Sequence, residues 1–148
     1  MVDNHKSDSL EFNFSIKPVP ASRPRVTRWA TFYPKTYTKF KKDMDVLVGN
    51  IKLDTIPYFE EGRLLSCKLC FYIPPPQTLN KVKLNKAARE KLIGEYCGNN
   101  ADLDNYEKAI LDSMNEYVYH DDKQIVKLSS VKYWGEVGKI LVSISDAN

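Results

Sequence analysis

This chain has no long apolar run, few soft metal ligands and, over one long stretch, no acid at all. Its longest uninterrupted apolar segment is residues 69–73, Leu-Cys-Phe-Tyr-Ile; a bilayer span requires roughly 20 such residues. The opening Met-Val-Asp-Asn-His-Lys lacks the apolar core of a secretory signal. Three cysteines are an odd number, which suits a reducing cytoplasm better than a disulfide framework. Cys67 and Cys70 form one C-x-x-C with no second to match it, and His5, His120 and Cys97 are the other soft ligands. Residues three apart on a strand face opposite sides. Buried thiols are therefore the expectation, and a zinc protein using Cys67, Cys70, Cys97 and His120 is the weaker rival.

What is present is a chain of 148 residues, 43% apolar and 28% charged, the composition of one globular domain with its own core. Residues 1–9 are polar and expected to be disordered, leaving a single domain over 10–148. The net charge is only +3, but the charges are segregated. Residues 17–42 hold eight basic side chains (Lys17, Arg23, Arg25, Arg28, Lys35, Lys39, Lys41, Lys42) and no acidic one. Residues 77–94 add Lys81, Lys83, Lys86, Arg89 and Lys91 against Glu90 alone. Acids gather instead over 102–122. Basic segments around a carboxylate cluster suit a protein that holds phosphates with one charge and cations with the other.

Periodicity places the elements. Phe12, Phe14 and Ile16 alternate with polar residues, a half-buried strand ended by Pro18 and Pro20. In the loop that follows, Pro24 keeps Arg23 extended, so Arg23 and Arg25 suit successive phosphates, with Trp29 or Tyr33 available to stack on an unpaired base. Residues 34–50 read as a helix stopped by Gly49-Asn50. Residues 63–73 are almost continuously apolar, a central strand cut off by Pro74-Pro75-Pro76. Residues 85–93 and 105–115 read as helices, the second capped by Asp104 or Asn105. Residues 124–133 and 139–145 read as strands joined in a hairpin through Gly135 and Gly138. The order β, α, β, α, α, β, β predicts a compact α/β (α+β) domain, a mixed sheet flanked by helices.

The chemistry sits in Asp102-Leu103-Asp104-Asn105-Tyr106-Glu107-Lys108 and Asp121-Asp122-Lys123-Gln124-Ile125. Asp102 and Asp104 on an extended approach to a helix can share a face, and Lys108 lies one helical turn beyond Asp104. With Asp122 arriving from the turn after the helix, the set would offer hard oxygen ligands to Mg²⁺ or Mn²⁺. Lys108 would then stabilise charge in phosphodiester cleavage. The plainer alternative is a capped helix with an exposed Asp104–Lys108 pair and an ordinary acidic turn.

These residues resemble the RusA-like Holliday junction resolvases. Residues 102–112 are similar to the family pattern D-L-D-N-x-x-K-x-x-x-D, and Asp121-Asp122-Lys123-Gln124-Ile125 to its D-D-x-Q-I/V element. Arg23-Pro24-Arg25 with Tyr33-Pro34, and Lys132, fall where members carry similar residues. The resemblance implies a homodimeric endodeoxyribonuclease of bacteria or their phages that nicks four-way DNA junctions in pairs with Mg²⁺ or Mn²⁺. It implies Asp102, Asp104 and Asp122 as metal ligands, Asp121 ranking behind Asp122, and Lys108 as the essential lysine. Arg23, Arg25, Arg28, Lys81, Lys83, Lys86 and Lys132 would contact DNA. Asn99-Asn100-Ala101 departs from the basic residue or proline often found before the first aspartate, which bears on local DNA contacts. The rivals are a non-catalytic DNA-binding module and a related nuclease acting on flaps, forks or RNA.

Overall fold

A computed structural model describes residues 9–148; the expected disorder of the first nine residues falls outside that range except at Ser9, which opens the first strand. The chain forms β1 (Ser9–Phe14), a short ribbon of β2 (Arg25–Val26) and β3 (Thr31–Phe32), and helix α1 (Lys35–Gly49). Then come β4 (Leu65–Ile73), a second ribbon of β5 (Thr78–Leu79) and β6 (Val82–Lys83), α2 (Lys86–Leu92) and α3 (Leu103–Ser113). A 3₁₀ turn at Asp122–Gln124 leads into β7 (Ile125–Trp134), and β8 (Lys139–Asp146) ends the fold. Among the described residues no helix is long and apolar enough to cross a membrane.

The main sheet is mixed, in the order β1-β8-β4-β7. β4 is bonded on both edges: antiparallel to β8, with Cys67 opposite Ile144, and parallel to β7, with Cys67 opposite Leu128. Alternation along β4 buries Leu65, Cys67, Leu69, Phe71 and Ile73. Ile140, Val142 and Ile144 of β8 do the same. Helices α1 and α3 pack together and complete the core with Tyr37, Phe40, Met44 and Val48 from one, Tyr106, Ala109 and Ile110 from the other. The opposite face of the sheet, carrying Lys68, Cys70, Val131, Leu141 and Ser143, is a shallow open depression.

The expected hairpin between the last two strands is not there. β7 and β8 both pair with β4, which lies between them. The chain steps from one to the other around the end of β4, and glycine makes the step possible. A Cβ at Gly135 would meet Tyr72 Cβ at 2.7 Å, and one at Gly138 would fall on the Lys17 backbone. The turn residues thus read correctly as a turn, but the partner strands are fixed by non-local packing. The two ribbons were hidden inside polar, basic sequence. In the second, Asn80 and Lys81 both have positive φ (50° and 67°), as a two-residue hairpin loop of this handedness needs.

Replacing Gly138 by alanine should destabilise the protein by about 1–3 kcal/mol, because backbone rather than a flexible side chain must move. Gly49→Ala, at a position where a Cβ meets nothing within 4 Å, should be neutral or slightly stabilising. Urea unfolding of both variants checks the contrast; equal midpoints would contradict the close approach at Gly138.

Candidate active site

Helix α3 begins one residue after Asp102, which occupies the N-cap position in extended conformation (φ −74°, ψ 137°) without a side-chain capping bond. The cap expected from Asp104 or Asn105 is therefore replaced by a carboxylate at the cap position that does no capping. Burial of Tyr106, Ala109 and Ile110 against the core turns the other side of the helix outward. Asp104, Lys108 and Asp112, at successive i, i+4 positions, are all exposed. Among the described residues no ion pair joins Asp104 to Lys108, so the simple surface-pair reading of this motif is not realised.

The loop before Asp102 is anchored by Lys132. Its ammonium donates to Asn99 Oδ1 at 2.6 Å, Ala101 O at 2.6 Å and Asn99 O at 3.4 Å, which occupies all three donors of a lysine. Asn99 Nδ2 in turn donates to the Tyr106 hydroxyl at 2.9 Å, tying loop to helix. Glu107 is likewise engaged inward, accepting from Ser130 Oγ at 2.8 Å. This differs from the reading of Lys132 as a DNA contact: the side chain is half-buried and spent on the segment that presents Asp102.

The second acidic pair is built around the buried side chain of Gln124. Gln124 Nε2 donates to Glu60 O (2.9 Å) and Arg63 O (3.0 Å), and its Oε1 accepts from Asp121 N (3.0 Å). Asp121 Oδ1 accepts from Lys123 N at 2.8 Å, completing a capping box. Asp121 thus has a structural duty. Asp122 is positioned by its backbone N–H, which donates to Asn115 Oδ1 at 2.9 Å. The buried Tyr119 hydroxyl fixes the same loop by donating to Leu111 O at 2.6 Å.

Partial burial pushes the Asp122 carboxyl up to about 6, helped by its hydrogen bond with Asp121 and the charges of Asp112 and Asp121. Asp121 moves the other way, its carboxylate held low mainly by the Lys123 backbone N–H. Asp112, which the motif contains but the site reading left out, is therefore the α3 carboxylate beside Asp122.

The three carboxylates grouped by the sequence are not a ready-made cage. Among the described residues no three His, Cys, Asp or Glu side chains are close enough to hold a metal ion. The donor chemistry nevertheless fits Mg²⁺, which keeps several waters and binds through one or two carboxylates plus substrate phosphate. It does not fit zinc at the cysteines, since no such group forms there and burial pushes the Cys67 thiol up to about 12.

The basic candidates lie on separate segments. Arg23, Arg25 and Arg28 are exposed in and around the β2–β3 ribbon; Lys81 and Lys83 are exposed on the second ribbon, and Lys86 at the start of α2. The first segment is tied to the acidic helix, for Ala21 N donates to Asn105 O at 2.8 Å. Among the described residues no such bond joins the second to α3.

A mixed-sheet α/β protein with an exposed acidic helix start rooted beside a basic ribbon has the layout of a protein that handles a polyanion. Residues 15–145 match the family model described as Endodeoxyribonuclease RusA, and the chain belongs to the RusA endodeoxyribonuclease family. It is also similar to "Uncharacterized protein YqaN" of Bacillus subtilis (strain 168), 26% identical over 145 residues, which is 95% of this chain and 99% of that protein.

Two expected outcomes test the site. Lys132→Met should slow cleavage about tenfold while leaving the salt slope of DNA affinity intact, whereas losing a phosphate contact lowers that slope by about 1. Fluorescence anisotropy across a salt series reads the difference. In metal-free protein Asp122 binds its proton more tightly folded than unfolded, so between its ordinary 3.8 and about 6 stability falls as pH rises. Asp122→Asn should remove that loss. Its stability gain, on the order of 1 kcal/mol after discounting for solvent screening, should be larger at pH 7.5 than at pH 5 in thermal melts with chelator. A gain that shrinks with pH would contradict the crowded carboxylates.

Proposed function

We propose that this protein is a homodimeric, divalent-cation-dependent endodeoxyribonuclease that resolves four-way DNA junctions and related branched DNA by paired nicks. The observation carrying this reading is the solvent-facing set Asp102, Asp104 and Lys108. Asp102 and Asp104 are taken up by neither capping nor ion pairs among the described residues. A purely structural helix start would use them.

In this reading Asp102 and Asp104 from the start of α3 and Asp122 from the 3₁₀ turn are the carboxylates that would hold Mg²⁺ or Mn²⁺, one or two of them directly and the rest through bound water, with substrate phosphate completing the shell. The bound cation supplies Lewis-acid polarisation of the phosphodiester and a more acidic water. Lys108, with no carboxylate partner among the described residues, offers its ammonium to the charge that builds on the phosphoryl oxygens during cleavage. Arg23, Arg25 and Arg28, with Lys81, Lys83 and Lys86, hold flanking phosphates. Paired nicks require two such sites, and the uncovered sheet face around Cys70, Val131 and Leu141 is the surface this reading assigns to the second subunit.

Asp104→Asn should reduce junction cleavage in Mg²⁺ by more than the ~10–100-fold typical of a group that only supports a metal ligand. Junction affinity should hold or rise, because one negative charge facing DNA is removed. Gel-shift and cleavage assays on one synthetic four-way junction measure both. An Asp104→Asn variant that cleaves normally would place the chemistry elsewhere.

A further inference from the structure

The β2–β3 ribbon carries apolar side chains that the proposed phosphate contacts of Arg25 and Arg28 leave unused. Its large apolar groups are exposed, Val26 to 77%, Trp29 to 86% and Phe32 to 47%. Yet the turn holding Trp29 is braced from within. Thr27 N donates to Ala30 O at 2.8 Å, and Thr27 Oγ1 donates to the same carbonyl at 3.0 Å. That hydroxyl also accepts from Trp29 N at 3.3 Å and Ala30 N at 3.0 Å. The Arg28 guanidinium lies over the indole, 5.3 Å from the ring centroid, backing one face of the ring with a cation. An indole held out to water on a preorganised turn gives away packing energy, and that arrangement favours a ligand with a flat apolar face.

Position and charge indicate what that ligand is. The ribbon starts four residues after Ala21, whose N–H is bonded to Asn105 O in the first turn of α3. At full extension the chain places Arg25 within about 14 Å of that anchor and Trp29 within about 29 Å. Residues 17–42 contain no acid, so the approach is open to a polyanion. A branch point in DNA differs from linear duplex in exposing base faces where stacking is interrupted, and every base offers a π-face.

We propose that Trp29 is a stacking wedge, a site for one unstacked nucleobase at the branch point, carried on the braced ribbon whose root is bonded to the acidic helix and backed by Arg28. The wedge rests on the proposed junction-cleaving function and adds to it a source of discrimination between branched and linear DNA.

Tryptophan fluorescence reads this directly. The chain has two tryptophans, and Trp134 is only 3% exposed, so quenching by DNA reports on Trp29. In an Asp104→Asn background, which keeps the substrate uncut, a four-way junction should quench the emission, and linear duplex of the same sequence should quench it much less. Trp29→Ala should weaken junction binding about tenfold and duplex binding by less than about twofold, with Trp29→Phe recovering part of the loss. Equal losses on both DNAs, no loss on either, or a changed sedimentation coefficient for Trp29→Ala would overturn the wedge, the last by making the indole a protein contact. If the parent binds and cuts junctions while Trp29→Ala matches it, the wedge alone fails. A parent that binds no junction overturns the proposed function and the wedge together.

Discussion

The arrangement depends on one strand being hydrogen-bonded along both edges. β4 takes β8 antiparallel on one side and β7 parallel on the other. A parallel neighbour cannot be reached by a tight turn; the chain must cross back over a sheet face to start again at the same end. That crossover, residues 74–124, contains α2, α3 and the 3₁₀ turn, and hence every candidate catalytic carboxylate. Because α3 must bury Tyr106, Ala109 and Ile110 against the sheet, its helical period leaves Asp104, Lys108 and Asp112 facing water. The candidate site is thus a by-product of closing the core.

Two polar networks then fix the ends of the crossover. Lys132, from β7, fills its three donors with the Asn99–Ala101 loop and so sets where the peptide before Asp102 lies. Gln124, buried under the second acidic pair, holds the Glu60 and Arg63 carbonyls and the Asp121 N–H. Both place a hydrogen-bonding group where failure would strand buried polar atoms, at roughly 1–3 kcal/mol each. The Gln124 bonds and the Asn115 side chain hold the turn in which Asp122 sits beside Asp112 and Asp121 with its proton affinity raised.

Much of this was legible in the sequence, and the failures share a cause. Helix α1 was expected over 34–50 and is Lys35–Gly49; α2 was expected over 85–93 and is Lys86–Leu92, with Asn85 capping it through Ala88 N at 2.8 Å. The apolar run that predicted a central strand is β4. These signals are local. The pairing of β7 and β8 with β4 rather than each other is settled by contacts far apart in sequence, and a turn motif says nothing about them. β1 runs from Ser9 to Phe14, earlier than the expected 12–17, since pairing with β8 rather than side-chain alternation sets its end. Lys132 was legible as a position within a motif but not as a side chain with three internal acceptors. Asp112 was visible as part of the helix pattern; only the folded loop shows that it faces Asp122.

The most direct measurement is cleavage of one synthetic four-way junction by the unmodified protein, with Mg²⁺ and with chelator, beside a linear duplex of the same sequence. If Asp102, Asp104 and Asp122 act through a bound cation on branched DNA, Mg²⁺ yields paired nicks at symmetric positions in opposing strands, chelator abolishes them and the duplex stays whole. Nicking that persists in chelator, or equal cutting of duplex and junction, would contradict that assignment.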